Sequence, residues 1–149
     1  MRTIEASAFH RMPSLTVLDL GDNELSNFPR DPRHRQRLVP GIADLSGVFW
    51  HLPSLSSLDL SGNQLEMVDA TFFASLPSLR TLNFSRNSLK TIDSRVWKQL
   101  EKVDHLDLSQ NSLVELDAFC QHLSDLERLD VSFNQVYRQL NSVLTKKLC

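Results

Sequence analysis

The stretch His105-Leu106-Asp107-Leu108-Ser109 sets a base, a carboxylate and a hydroxyl at alternate positions, the residue types of a nucleophilic hydrolase. If the segment is a strand, its period of two puts all three on one face. Neighbours on such a face stand about 6.5–7 Å apart along the strand. A nucleophile and its base need contact at about 3 Å. The same "L-D-L-S" also recurs from Leu58 with no histidine before it. Catalysis is therefore not expected at these residues. The five histidines are scattered, without metal-ligand spacing, so neither a metal nor a cofactor is expected.

Three other features bear on chemistry. Asn83-Phe84-Ser85 is a glycosylation sequon, used only if the chain passes through a secretory pathway. The stretch Pro29–Gly41 carries Arg30, Arg33, Arg35 and Arg37 against Asp31, a net +3 that leaves −5 on the rest of the chain. Such a stretch could hold an anion: a sulfated glycan, a phosphate or an acidic protein. The favoured reading is a tolerated surface insertion, because loop closure costs grow slowly with length. Cys120 and Cys149 make neither a disulfide framework nor a metal site, and Cys120 fits a small buried apolar position.

These residues need a scaffold, and self-comparison reveals one. An eleven-residue pattern recurs as "LTVLDLGDNEL" from Leu15, "LSSLDLSGNQL" from Leu55, "LRTLNFSRNSL" from Leu79, "VDHLDLSQNSL" from Val103 and "LERLDVSFNQV" from Leu126. Its asparagines, Asn23, Asn63, Asn87, Asn111 and Asn134, are 40, 24, 24 and 23 residues apart. Apolar residues follow at +2 and +5: Leu25 and Phe28, Leu65 and Val68, Leu89 and Ile92, Leu113 and Leu116. An aromatic then precedes a leucine by three: Phe49 and Leu52, Phe73 and Leu76, Trp97 and Leu100. Ile4, Ala8 and Phe9 look like the tail of a truncated preceding unit.

This pattern resembles the leucine-rich repeat family, L-x-x-L-x-L-x-x-N-x-L. The 24-residue length and the "F-x-x-L-x-x-L" tail are similar to its typical extracellular subclass, as in Toll receptors, Slit and chaoptin. The resemblance covers nearly the whole chain except residues 29–48. It implies an α/β solenoid: a right-handed horseshoe fragment with a parallel sheet on the concave face and an irregular or short-helical convex side. It also implies that the concave face is the partner-binding surface.

Physical chemistry assigns the positions. In "L-x-L", Leu58 and Leu60 point one way while Ser57, Asp59 and Ser61 point the other. Stacked repeats bury leucines that one repeat alone cannot cover. Past the strand the chain turns inward and must pair its backbone groups. A buried carboxamide, with two donors and an acceptor, can do so. Asn23, Asn63, Asn87, Asn111 and Asn134 are therefore read as a structural ladder.

Outward positions form columns: Val17, Ser57, Thr81, His105, Arg128; then Asp19, Asp59, Asn83, Asp107, Asp130; then Gly21, Ser61, Ser85, Ser109, Ser132; then Asp22, Gly62, Arg86, Gln110, Phe133. The second column is nearly an acidic ladder. It could attract a basic partner or a cation, or its carboxylates could be bonded locally. The contact residues taken forward are Ser57, Asp59, Thr81, Asn83, Arg86, His105, Asp107, Gln110, Arg128, Asp130 and Phe133.

At the C-terminal end Val136, Leu140, Val143, Leu144 and Leu148 fit an amphipathic helix over about 137–148, a cap for the solenoid. Residues 1–149 read as a single domain with an insertion at about 29–48. The net charge of −2 gives no bias toward nucleic acid. No apolar run approaches the ~18 residues of a transmembrane span. The N-terminus shows no secretory signal, and the family's cysteine-rich caps are absent, which leaves a fragment of a longer protein as one reading. The expectation is a non-catalytic protein-binding module with a protein ligand or receptor partner, as a monomer or as a homo- or heterodimer. By resemblance it belongs outside the cell or at its surface, in recognition, adhesion or innate immunity. A cytoplasmic scaffold is the alternative.

Overall fold

The computed structural model describes residues 1–5, 8–26, 49, 52–68, 70–116 and 121–136. Five strands follow one another: β1 (Val17–Asp19), β2 (Ser57–Asp59), β3 (Thr81–Asn83), β4 (His105–Asp107) and β5 (Arg128–Asp130). They form one sheet in the order β1-β2-β3-β4-β5, every pairing parallel. The register aligns Val17, Ser57, Thr81, His105 and Arg128, then the five central leucines, then Asp19, Asp59, Asn83, Asp107 and Asp130. The columns read from the repeat are the columns of the sheet. This is the expected α/β solenoid.

Each strand is three residues long because the second residue after it turns its N–H from the sheet to a side chain. Asp59 Oδ1 accepts the Ser61 N–H at 2.7 Å, and Asp19, Asn83, Asp107 and Asp130 do the same for Gly21, Ser85, Ser109 and Ser132 at 2.8–2.9 Å. The flanking N–H groups still reach the next repeat: Leu60 donates to the Asn83 carbonyl at 2.8 Å and Gly62 to that of Ser85 at 2.9 Å. No backbone donor in this stretch is wasted.

The asparagines then close the account, across repeats as well as within them. Asn63 Nδ2 donates to the carbonyls of Leu60 and Ser61 in its own repeat and of Leu20 in the one before, all at 3.0–3.1 Å. Its Oδ1 accepts the Leu25 N–H at 2.9 Å. Asn87, Asn111 and Asn134 repeat this pattern. At Asn23 the acceptor takes the Met1 amine at 2.9 Å, and the Met1 carbonyl accepts the Glu24 N–H. Met1 thus sits where Leu25, Leu65, Leu89 and Leu113 sit in later repeats.

Behind the sheet lies one continuous apolar core. Leu58, Leu60 and Leu65 from the second repeat are fully buried, as are Leu82, Leu89, Leu106, Leu108 and Leu113 from the next two. The side opposite the sheet carries a 3-10 helix (Ala70–Ser75) and α1 (Ser94–Gln99). Asp93 caps α1 by accepting the Arg95 N–H at 2.8 Å, and Val96 and Trp97 turn inward. Aromatics link the repeats here: Phe9 stacks on Phe49 at 6.1 Å, and Phe49 meets Phe72 edge-on at 4.8 Å. The anticipated insertion with Arg30, Arg33, Arg35 and Arg37, the C-terminal helix, Cys120 and Cys149 all lie outside the described residues.

Candidate partner-binding face

The outward columns have unequal access to solvent. In the first, Val17, Thr81, His105 and Arg128 are exposed and Ser57 is half-buried. In the second, Asp19 and Asp130 are exposed while Asp59, Asn83 and Asp107 are half-buried. The third differs from the sequence expectation. Ser61, Ser85 and Ser109 are buried, at 4%, 7% and 6% exposure, and do not face a partner. Strand alternation ends at the capping aspartate, so its period of two does not carry on to these serines.

The acidic column is bonded locally. One oxygen of each carboxylate is committed to the backbone N–H two residues on. That bond, helped by the Ser132 side chain and then by Arg128, holds the Asp130 carboxyl below its usual range. Asn83 breaks the run of charge between Asp59 and Asp107. Its Nδ2 donates to Asp59 Oδ2 at 3.0 Å while its Oδ1 caps Ser85. The nitrogen to which a glycan would attach at this sequon is therefore holding the neighbouring carboxylate.

The fourth column has a property that sequence reasoning missed. Asp22, Gly62, Arg86, Gln110 and Phe133 all have φ between 51° and 60°, the left-handed region. Only glycine adopts it without strain, and Gly62 was the one signal in the sequence. This turn lets the following asparagine point inward and throws the residue before it outward. Gly62 has a second use. A Cβ there would lie 2.2 Å from Asp22 Oδ1. The open space lets Asp22 lean over Gly62 and meet Arg86 Nη2 at 3.0 Å, an ion pair spanning three repeats. Arg86 is thus engaged within the face itself. At the far end, Phe133 is 80% exposed.

The hydrolase geometry does not assemble. His105 Nδ1 is 2.7 Å from Asp104 Oδ1, Asp107 Oδ1 holds the Ser109 backbone, and Ser109 is buried. Among the described residues no group of three His, Cys, Asp or Glu could hold a metal ion. None of their helices is long and apolar enough to cross a membrane. A shallow depression of about 180 Å³ lies away from the sheet, between the 3-10 helix and α1, lined by Phe73, Leu76, Pro77, Lys98 and Lys102 among others.

Comparison with known proteins agrees with this architecture. Models of the leucine rich repeat match residues 53–113 and 11–27. No curated protein matches the chain. The Drosophila Toll–Spatzle complex, in its glycosylated form, contains a chain that is similar at 26% identity and a TM-score of 0.72, over 89% of this chain and 17% of that one. The leucine-rich repeat domain of APL1B is similar at 27% identity and a TM-score of 0.67, over 89% of this chain and 34% of that one. The APL1 leucine-rich repeat domain shares 21% identity and the fold, with a TM-score of 0.73 over 90% of this chain and 32% of that one. The chain spans about a third or less of each of these structures.

Proposed function

The chain belongs to the leucine-rich repeat family, with repeats of the extracellular-type subclass, and we propose that it is a non-catalytic protein-recognition module that binds through the outer face of its sheet. One observation carries this reading. Every framework position repeats in kind, whereas the first outward column reads valine, serine, threonine, histidine and arginine. The scaffold does not require that variety, so it is available for recognition. Arg128, His105 and Phe133 form the exposed charged and aromatic end of the face, the composition that anchors interfaces.

We place the module in a secreted or cell-surface protein, in a receptor, adhesion or immune setting. The Toll chain in complex with Spatzle, described as a hub of development and innate immunity, supports this assignment.

The test starts from the partner captured from the native source. The double variant Arg128→Ala/Phe133→Ala should bind it at least roughly tenfold more weakly with the fold unchanged. Equal affinity would sink the outer-face reading.

A further inference from the structure

β5 is the last strand of the described sheet, and its far edge is open. In a parallel ladder, alternate residues turn their backbone groups to opposite neighbours. The Arg128 N–H donates to the Asp104 carbonyl at 2.9 Å and the Asp130 carbonyl accepts the Leu108 N–H at 2.7 Å, so both residues face β4. The Glu127 carbonyl, both backbone groups of Leu129 and the Val131 N–H therefore point away from it. In earlier repeats the equivalent groups are used. The carbonyls of Thr16, Ser56, Arg80 and Asp104 accept from the next repeat, and Leu20, Leu60, Phe84 and Leu108 donate to it. At β5 they have no partner among the described residues. The side chains tell the same story. Leu129 and Val131 are half-buried, whereas their equivalents Leu106 and Leu108 are 2% and 1% exposed. At the opposite edge Leu18 and Leu20 are buried.

The charges of β5 are a second, independent sign. Among the described strands, only Arg128-Leu129-Asp130 carries opposite charges at its two outward positions; the others read V-L-D, S-L-D, T-L-N and H-L-D. Arg128 and Asp130 are both exposed. Such a strand is complementary to itself read backwards. A two-fold axis at Leu129 sets each Arg128 opposite Asp130 of a second copy. The same register satisfies the backbone. Leu129 exchanges N–H and carbonyl with Leu129 of the second copy, and each Val131 N–H meets the Glu127 carbonyl across the axis. Arg128 and Asp130 then form the non-hydrogen-bonded pairs, with Cα atoms about 4.5 Å apart, where side chains come closest. The head-to-tail alternative, β5 beside β1 of another copy, sets Asp130 against Asp19 and Arg128 against Val17 and gains no ion pair.

We infer that the open edge of β5 is a self-association site, on which a second copy of this chain pairs antiparallel about a two-fold axis at Leu129. An unpaired edge is a template for another chain, and two-fold symmetry closes the assembly at a dimer. The outer face from β1 to β4 stays open, so this inference goes beyond the recognition role proposed above.

The test is sedimentation equilibrium of the full chain, which should show a monomer–dimer equilibrium. Arg128→Asp turns both ion pairs into carboxylate contacts and should weaken the dimer at least roughly tenfold. Asp130→Arg should do the same, and mixing the two variants should restore association, because every aspartate then meets an arginine. Asp130 also caps the Ser132 N–H. Asp130→Asn keeps that cap, as Asn83 does in β3, and should weaken the dimer roughly threefold. Val131→Pro deletes an edge donor that no described residue uses, and should leave a folded monomer.

A chain that stays monomeric at roughly millimolar concentration overturns the inference. So does a dimer that survives Arg128→Asp or folded Val131→Pro, or folded charge variants that fail to associate on mixing. Val131→Pro alters no outward side chain, so its capture of the native partner should be unchanged. The outer-face reading is decided separately, by the Arg128→Ala/Phe133→Ala capture.

Discussion

In the turn after each strand, two columns stand side by side. One is Asn23, Asn63, Asn87, Asn111 and Asn134, a single residue type throughout; the other, one position earlier, is Asp22, Gly62, Arg86, Gln110 and Phe133, five types in five repeats. The asparagine column is tied to backbone groups of two repeats at once, and only a carboxamide supplies the donors and the acceptor in the required places. The column before it shares a positive φ and, as far as Gln110, a backbone N–H bonded to the next repeat, neither of which involves the side chain. Its side chains leave the framework, so any residue that tolerates positive φ can stand there, at a cost of about 1–2 kcal/mol for those that are not glycine. A constraint on hydrogen bonding restricts chemistry, while a constraint on φ restricts only strain. That is why a variable surface can lie one bond away from an unvarying frame.

The comparison can be broken most directly at Asn111. Asn111→Ala orphans the Leu89 N–H in a buried site and takes one of two hydrogen bonds from each of the carbonyls of Phe84, Leu108 and Ser109, which keep those from Asn87, Asn134 and the Arg86 N–H. Urea unfolding should show a loss of about 3 kcal/mol. Asn23→Ala, whose acceptor meets the exposed Met1 amine, should lose about 1 kcal/mol. Equal losses at the two sites would mean that the ladder does not act through buried backbone. Next in size is Gly62→Ala, which combines left-handed strain with a collision against Asp22. It should lower stability by about 2 kcal/mol and break the Asp22–Arg86 pair.

Gln110→Gly sharpens the comparison from the opposite side. It relieves strain in the variable column and should raise stability by about 0.5–1 kcal/mol once the added freedom of the unfolded chain is subtracted, read as a higher Tm. The smallest effect is that of pH. Hydrogen bonds from the Arg95 side chain, then from its backbone, lower the Asp93 pKa from 3.8 to about 2. The native state therefore binds this proton less readily than the unfolded chain does. The contribution of the cap is fully present above pH 3.8 and disappears as pH falls through about 2. Asp93 is exposed and screened, so less than about 1 kcal/mol is involved. Asp93→Asn should remove this part of the acid dependence of the urea midpoint, while the asparagine ladder, which does not titrate, keeps its contribution.

How much of this was legible varied by position. The strand columns were read correctly from Val17 through Arg128, because parallel stacking at a fixed period leaves no freedom of register. The ladder was read correctly in kind, but its reach into the preceding repeat, from Asn63 to Leu20 and Leu25, was not, since that needs the distance between turns. Alternation failed at Ser61, Ser85 and Ser109. A pattern of period two says nothing about where a strand stops, and here the aspartate side chain stops it by taking the next available N–H. Of the two readings of the acidic column, a basic partner or local bonding, bonding within the turn is the one the geometry supports. The sequence offered no sign that Asp22 and Arg86 would meet across Gly62.

By itself the sequence determined the solenoid, the order and register of its strands, the leucines of its core and the chemical role of its asparagines. All of these follow from a repeated pattern of apolar burial and backbone pairing within about one turn of chain. Tertiary structure alone decided which outward residues reach solvent and which are held by one another. Those outcomes depend on residues distant in sequence, Asp22 and Gly62 or Asp22 and Arg86, whose distances exist only once the repeats are stacked.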